Sequence, residues 1–235
     1  LVEPIIKEDQ AEATIDNFFT FTFEDDCLKL SSFSTNSGGG TSQMNSSSIN
    51  WNNIKNIQLE LSDVKITQEM LKAWESLWKK RGEIKNLKLN LSMNPISDQD
   101  FISLWFPLFS KIKSPEVIDI NLRRCQITDH GISQFFNYLT TKDLVDVFNI
   151  SKVKKFTLWL SNTFITDLTL NQFTQEILPL LKSLENFQLY LGGTQISDSS
   201  VVEIITSFKK TLTPKVHTFA LFLFDTKITD YTLTC

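Results

Sequence analysis

The chain has 235 residues, of which 41% are apolar. That suits one or two ordinary domains or a single repeat array, and it is too apolar for a disordered chain. A net charge of −4 and a pI near 5.3 speak against a dedicated nucleic-acid binder, and no apolar run approaches the roughly 18 residues a membrane helix needs.

Residues 1–33 begin charged and irregular and then turn regular. The opening LVEPIIKEDQ has neither the basic start nor the apolar core of a signal peptide, and without an initiator Met it reads as a fragment or a trimmed chain. Phe19, Phe21 and Phe23 alternate with polar residues, which is strand spacing. This segment reads as an arm followed by a capping strand or a degenerate repeat. Residues 34–50, STNSGGGTSQMNSSSIN, lack any apolar period and read as a flexible loop. Gly38, Gly39 and Gly40 are followed by no G-K-[ST], so they make no phosphate-binding loop.

From 51 to 235 the chain repeats. Strand segments start at Ile54, Ile84, Val117, Val153, Leu184 and Val216. Inward apolar triplets follow: Ile57, Leu59 and Leu61; Leu87, Leu89 and Leu91; Phe156, Leu158 and Leu160; Phe187, Leu189 and Leu191; Phe219, Leu221 and Leu223. In the third copy the spacing gives Ile120 and Leu122, with Arg124 in the last slot. Five copies close on Ile-[Ser/Thr]-Asp, as in Ile127-Thr128-Asp129, and the first has Ile66-Thr67-Gln68. The hydroxyl suits a helix N-cap, and the Asp suits the positive end of the helix dipole. Helical spacing follows, as in Met70, Leu71, Trp74, Leu77 and Trp78. Pro107 and Pro179 fall late in such runs and should kink or end them.

The stretch 117–139 carries the pattern L-x-x-L-x-L-x-x-C-x-I-x-D-x-G, which resembles one turn of a ribonuclease-inhibitor-type leucine-rich repeat. The resemblance covers six turns, the last incomplete. It implies an α/β solenoid, a horseshoe with a parallel concave sheet and convex helices. Strands about 4.8 Å apart cannot match helices about 10 Å across in a straight stack, so such an array curves. One copy alone cannot bury its apolar face, so each relies on its neighbours. In five copies the closing Ile lies twelve residues after the first slot, as from Ile84 to Ile96, whereas Val117 to Ile127 spans ten. The longer form is similar to repeats of ciliated protists, some of which are described alongside kinase domains. No H-R-D or D-F-G motif occurs here. The chain stops at Cys235, inside the sixth helical run, so further protein or a partner is expected beyond it.

Residues between the inward slots face the concave side. Their last column reads Glu60, Asn90, Arg123, Trp159, Tyr190 and Phe222, turning from polar to aromatic. Exposed aromatics near Arg are what binding hot spots use, so Arg123, Trp159, Tyr190 and Phe222 are the candidate protein-binding residues. The alternatives are that the rings pack on one another as a cross-strand ladder, or lie under further sequence. Arg124 reads as a turn residue that pairs with Asp129 or with a partner, or is simply solvated. Lys79, Lys80 and Arg81 end a helical run, which the dipole explains.

His130 and His217 sit in no metal-ligand spacing, and no nucleophilic Ser accompanies Asp129 and His130. Cys125 takes the slot of a buried packing residue. The cysteines, at 27, 125 and 235, are few and odd in number, which suits a reducing compartment. The sequons at Asn45, Asn90 and Asn149 are weak evidence for secretion in so Asn- and Ser-rich a chain.

The expectation is therefore a non-catalytic interaction or scaffold module. It binds a protein partner or multiprotein assembly through the concave sheet, with no catalytic residue, cofactor or metal and no nucleic acid or membrane span. The resemblance suggests a cytoplasmic setting, extending to a ciliary or cytoskeletal assembly. Two alternatives are a regulatory or substrate-recognition region of a larger enzyme, in a kinase or ubiquitin pathway, and an extracellular recognition receptor.

Overall fold

The computed structural model describes residues 19–24, 27–32, 54–64, 66–67, 70, 84–109, 112–141, 149–211 and 215–229. The loop expected at 34–50, most of the first helical run and the Lys79–Arg81 cluster lie outside them. Alternating apolar residues build eight strands: β1 Phe19–Glu24, β2 Cys27–Ser32, β3 Asn56–Glu60, β4 Ile84–Asn90, β5 Ile112–Asn121, β6 Lys155–Trp159, β7 Asn186–Tyr190 and β8 Thr218–Phe222. They form one sheet whose spatial order is their order in the chain. β1 pairs antiparallel with β2, and every later pair is parallel. The strand expected around Phe19–Phe23 is thus one arm of an antiparallel pair whose second arm joins the parallel array.

Helices α1 Asp98–Phe109, α2 Asp129–Thr140, α3 Asp167–Gln172 and α4 Asp198–Thr211 connect strands. Parallel pairing requires such returns, because a strand must be carried back to its starting end before the next begins. Pro107 falls two residues before the end of α1. After α3 the chain makes a π-helical turn, Phe173–Ile177, and a 3-10 turn, Leu178–Leu180, with Pro179 at its start. Pro179 has no N–H to continue the α ladder, so the helix stops there.

The core lies between the sheet and the helices. The inward residues of every inner strand are buried, and a file of phenylalanines threads the units: Phe109, Phe135, Phe136, Phe173, Phe187, Phe208 and Phe219, with successive ring centroids 4.4–5.9 Å apart. Cys125 is buried, as its slot implied, and its Sγ donates to the Leu91 carbonyl at 3.1 Å. Burial pushes its thiol up to about 11, so it stays protonated at neutral pH.

The register of β5 corrects the reading of the third copy. Leu87 pairs with Ile118 and Leu89 with Ile120, so the inward triplet is Ile118, Ile120 and Leu122. Pro115, itself buried, holds the first slot, and from Pro115 to Ile127 is twelve residues. The third copy is not short. Arg124 is no inward residue: it is exposed, in the turn, with φ 59°. It does not reach Asp129, whose carboxylate is taken by Thr166 and Thr169.

With that register, one position of every turn is left-handed: Asp63, Met93, Arg124, Asn162, Gly193 and Asp225, with φ from 54° to 70°. Backbone bonds tie the turns together, such as Met93 N–H to Arg123 C=O and Asn162 N–H to Gly192 C=O, both 2.8 Å.

The Ile-[Ser/Thr]-Asp triplet does more than cap. Thr128 and Thr166 do accept helix N–H groups, from His130 and Leu168. The Asp, however, reaches the next copy. Asp98 accepts the Thr128 N–H and hydroxyl, Asp129 those of Thr166, Asp167 those of Ser197, and Asp198 those of Thr229, at 2.6–2.9 Å. Where the first copy has Gln68 in place of Asp, Ser97 donates instead to Asp100 of its own helix.

Candidate functional site

The sheet face turned away from the helices carries the residues between the inward slots. Its composition changes along the array. On β3 and β4 the side chains bond to one another: Asn86 Nδ2 donates to Asn56 Oδ1, Asn90 Nδ2 to Glu60 Oε2 and Gln58 Nε2 to Glu60 Oε1. The Asn90 side chain also accepts from the Ser92 N–H and hydroxyl. The amide nitrogen of that sequon is therefore engaged within the sheet face.

On β6, β7 and β8 the last column is aromatic. Register places Trp159 beside Tyr190 and Tyr190 beside Phe222. The rings lie face to face. Trp159 and Tyr190 have centroids 3.4 Å apart at 7°, and Tyr190 and Phe222 4.1 Å apart at 3°. They pack on one another as a ladder. Trp159 and Tyr190 are half-buried, and Phe222 is 39% exposed. Ring edges, not faces, line the surface, except at the two ends of the stack.

Asp119 fixes the first ring. Its Oδ1 accepts the Trp159 indole N–H at 3.1 Å, and its Oδ2 accepts from Lys155 Nζ at 3.2 Å. An indole N–H that is half-buried needs such a partner, and the lysine offsets the carboxylate's charge. Thr157, between Lys155 and Trp159 on β6, is fully buried, and its hydroxyl has no bonding partner among the described residues.

The structure brings together Trp159, Tyr190 and Phe222, and it separates Arg123 from them. The residue beside Trp159 on β5 is Asn121. Arg123 stands one step on, in the turn, where its N–H donates to Asn121 Oδ1. Its Nε is buried without a bonding partner among the described residues. The displacement follows from the register of β5. Asp119 is not singled out by the sequence reading, because taking Ile120 as the first inward slot sets it level with Lys155, whereas it pairs with Thr157. The signal for it was present: Ile118, Ile120 and Leu122 alternate without a break, and choosing that triplet puts Asp119 beside Thr157 and Asn121 beside Trp159.

Neither histidine makes a site. His130 and His217 are both exposed. Among the described residues no cluster of His, Cys, Asp or Glu could hold a metal ion, and no helix is long and apolar enough to cross a membrane. A shallow notch lined by Leu178, Pro179, Leu181, Leu184, Thr211 and Val216 lies away from the open face and is too small for an organic ligand. No family model matches the chain, and no curated protein matches it.

Proposed function

We propose that the chain is a leucine-rich-repeat solenoid of the ribonuclease-inhibitor-like type, in a long-repeat form. It acts as a non-catalytic module that binds a protein partner through the concave side of its sheet. The repeat reading is supported by the twelve-residue spacing in every copy, from Ile54 to Ile66 through Val216 to Ile228. The left-handed turn column and the Asp clamps recur at the same step.

One observation carries the binding reading. A stack of three aromatics lies on a face that no helix among the described residues covers, anchored at one end by Asp119 and exposed at the other through Phe222. A preformed aromatic surface loses little entropy on binding, which is how rigid paratopes gain affinity. The contact patch is Trp159, Tyr190 and Phe222. Arg123, one turn away, belongs at most to its rim. A cytoplasmic, ciliary or cytoskeletal assembly belongs to the same proposal and rests on the repeat resemblance.

A photo-crosslinking residue placed at Tyr190 in the source cells tests this reading, with one at Thr206 on α4 as control. A discrete adduct from position 190 and none from 206 is the expected result. Phe222→Ser should abolish that adduct. Equal labelling from both positions, or an adduct indifferent to Phe222→Ser, sinks the proposal.

A further inference from the structure

On the sheet face turned away from the helices, the carboxylates are satisfied within the protein and two of the cations are not. Between the inward slots of β3 to β7 stand two carboxylates, Glu60 and Asp119. Glu60 accepts from Asn90 and Gln58, and Asp119 from Trp159 and Lys155. Lys155 is thereby paired. Lys88, on β4, is exposed, and neither Lys88 nor Arg123 has a carboxylate partner among the described residues. Arg124, beside Arg123 in the turn, is exposed as well. The chain as a whole carries −4, so this free positive charge is local and opposite in sign to the molecule.

We infer that the partner presents an acidic segment to this face, with carboxylates at Lys88 and Arg123 and an aromatic or aliphatic side chain at the ring edges between them. The inference rests on the reading that the face binds a protein and names the chemistry of what it binds. Register sets the three contacts in order along the strands. Lys88 is level with Asp119, Trp159 is level with Asn121, and Arg123 follows Asn121 at the rim. The aromatic row therefore runs between the two cations.

Hydrogen bonding points the same way. Asn121 Oδ1 accepts the Arg123 N–H, which leaves the Asn121 Nδ2 to donate. The Arg123 Nε is buried with no acceptor among the described residues. Donors are thus in surplus, and the strong acceptors of the face are occupied. A carboxylate brings two acceptor oxygens and fits the fork of a guanidinium.

The rings decide between an acidic protein segment and a nucleic acid, both of which are anionic. Tyr190 has both faces covered, and Trp159 and Phe222 have one each covered. Bases and cations are held on ring faces. The edges that line this surface carry the positive part of the ring quadrupole. An edge row suits a carboxylate or the face of a partner's aromatic ring, and it offers little to a base or to an alkylated lysine.

Selection of a random peptide display library on the purified full chain tests the inference. Fluorescence anisotropy then follows a labelled synthetic copy of an enriched peptide and, separately, labelled oligothymidylate. Enriched peptides should carry net negative charge and at least one aromatic or aliphatic residue, and their binding should weaken as salt rises. Lys88→Glu with Arg123→Glu should weaken the synthetic peptide at least about tenfold. Lys88→Glu alone, at an exposed position, should give part of that loss, whatever Arg123 does for the fold. Lys209→Glu with Lys210→Glu makes the same change in net charge on α4 and should leave binding unchanged. Equal thermal melts establish that each variant keeps its fold. Enrichment of basic or neutral peptides, or no enrichment, overturns the inference. So do acidic peptides that bind the reversed variant as well as the parent, or oligothymidylate that binds more tightly than the peptide. The wider reading of the face is decided separately, by the crosslink at position 190.

Discussion

At the scale of single residues, the turn column separates what backbone geometry demands from what the sequence supplies. Six turns need a left-handed residue, and they hold Asp63, Met93, Arg124, Asn162, Gly193 and Asp225. Asp, Asn and Gly tolerate that region, because short polar side chains bond locally and Gly has no Cβ. Met93 and Arg124 have no such compensation. Both are exposed, so replacing them removes little packing. Met93→Gly and Arg124→Gly should each stabilise the fold by about 0.5–1 kcal/mol, the left-handed strain outweighing the entropy of an added Gly. Asn162→Gly should change it little. Urea midpoints at constant slope give the comparison; a loss of stability in the first two variants would mean their turns are held by side-chain contacts instead. The opposite change is closed off at Gly193. A Cβ there would clash with Asn162 Oδ1, and the residue already has φ 70°.

At the scale of elements, the aromatic ladder and the Asp clamp show how far spacing alone carries. Strands, their inward residues and the capping hydroxyls follow from period-two alternation and from Ser or Thr before a helical run, which are local signals. The partners of the Asp residues are not local: Asp129 bonds to Thr166 and Thr169 in the following copy. A dipole at the start of α2 and a carboxylate acceptor for the next copy both favour Asp at that position, so the sequence does not tell them apart. The register of β5 failed for a different reason. Val117 and Ile118 are adjacent apolar residues, and Val117 fits the ten-residue form of the motif when Pro115 is passed over as a slot. Two residues of slip then carried Arg123 into the aromatic column. Within the column the rings touch, so truncating one disturbs the others. Each aromatic pair contributes about 0.5–1.5 kcal/mol beyond area burial. Tyr190→Leu breaks both contacts at once and should lower stability by about 1–3 kcal/mol on that scale. It should also weaken the near-ultraviolet circular dichroism of the coupled rings. Phe222→Leu, at the open end, should do less of both. If the two variants lose equal signal, the stack does not persist in solution.

At the scale of the whole molecule, each carboxylate clamp joins one copy to the next, so protonation acts on the connection between units. Asp167 is the case whose direction is resolved. Burial raises its pKa, but hydrogen bonds from the Ser197 hydroxyl, the Ser200 hydroxyl and the Ser197 N–H, with the charge of Lys227, outweigh that and leave it below the usual value. A carboxyl whose folded pKa is depressed adds stability that is complete above its unfolded pKa, near 4, and lost as pH falls through the lower folded value. The fold should therefore weaken from about pH 4 downward, and from this group not at all between pH 5 and 8. Asp167→Asn keeps the shape and removes the charge. It should lower stability at neutral pH by about 1.5–3 kcal/mol, the range of charge-assisted hydrogen bonds, and reduce the acid dependence. Because units joined in a row depend on their neighbours, the loss should reach beyond the copy that carries the substitution. Hydrogen exchange distinguishes this from a local effect. Faster exchange in β6 and β7 together is the expected pattern, whereas a change confined to the first turn of α4 would show that the clamp only caps.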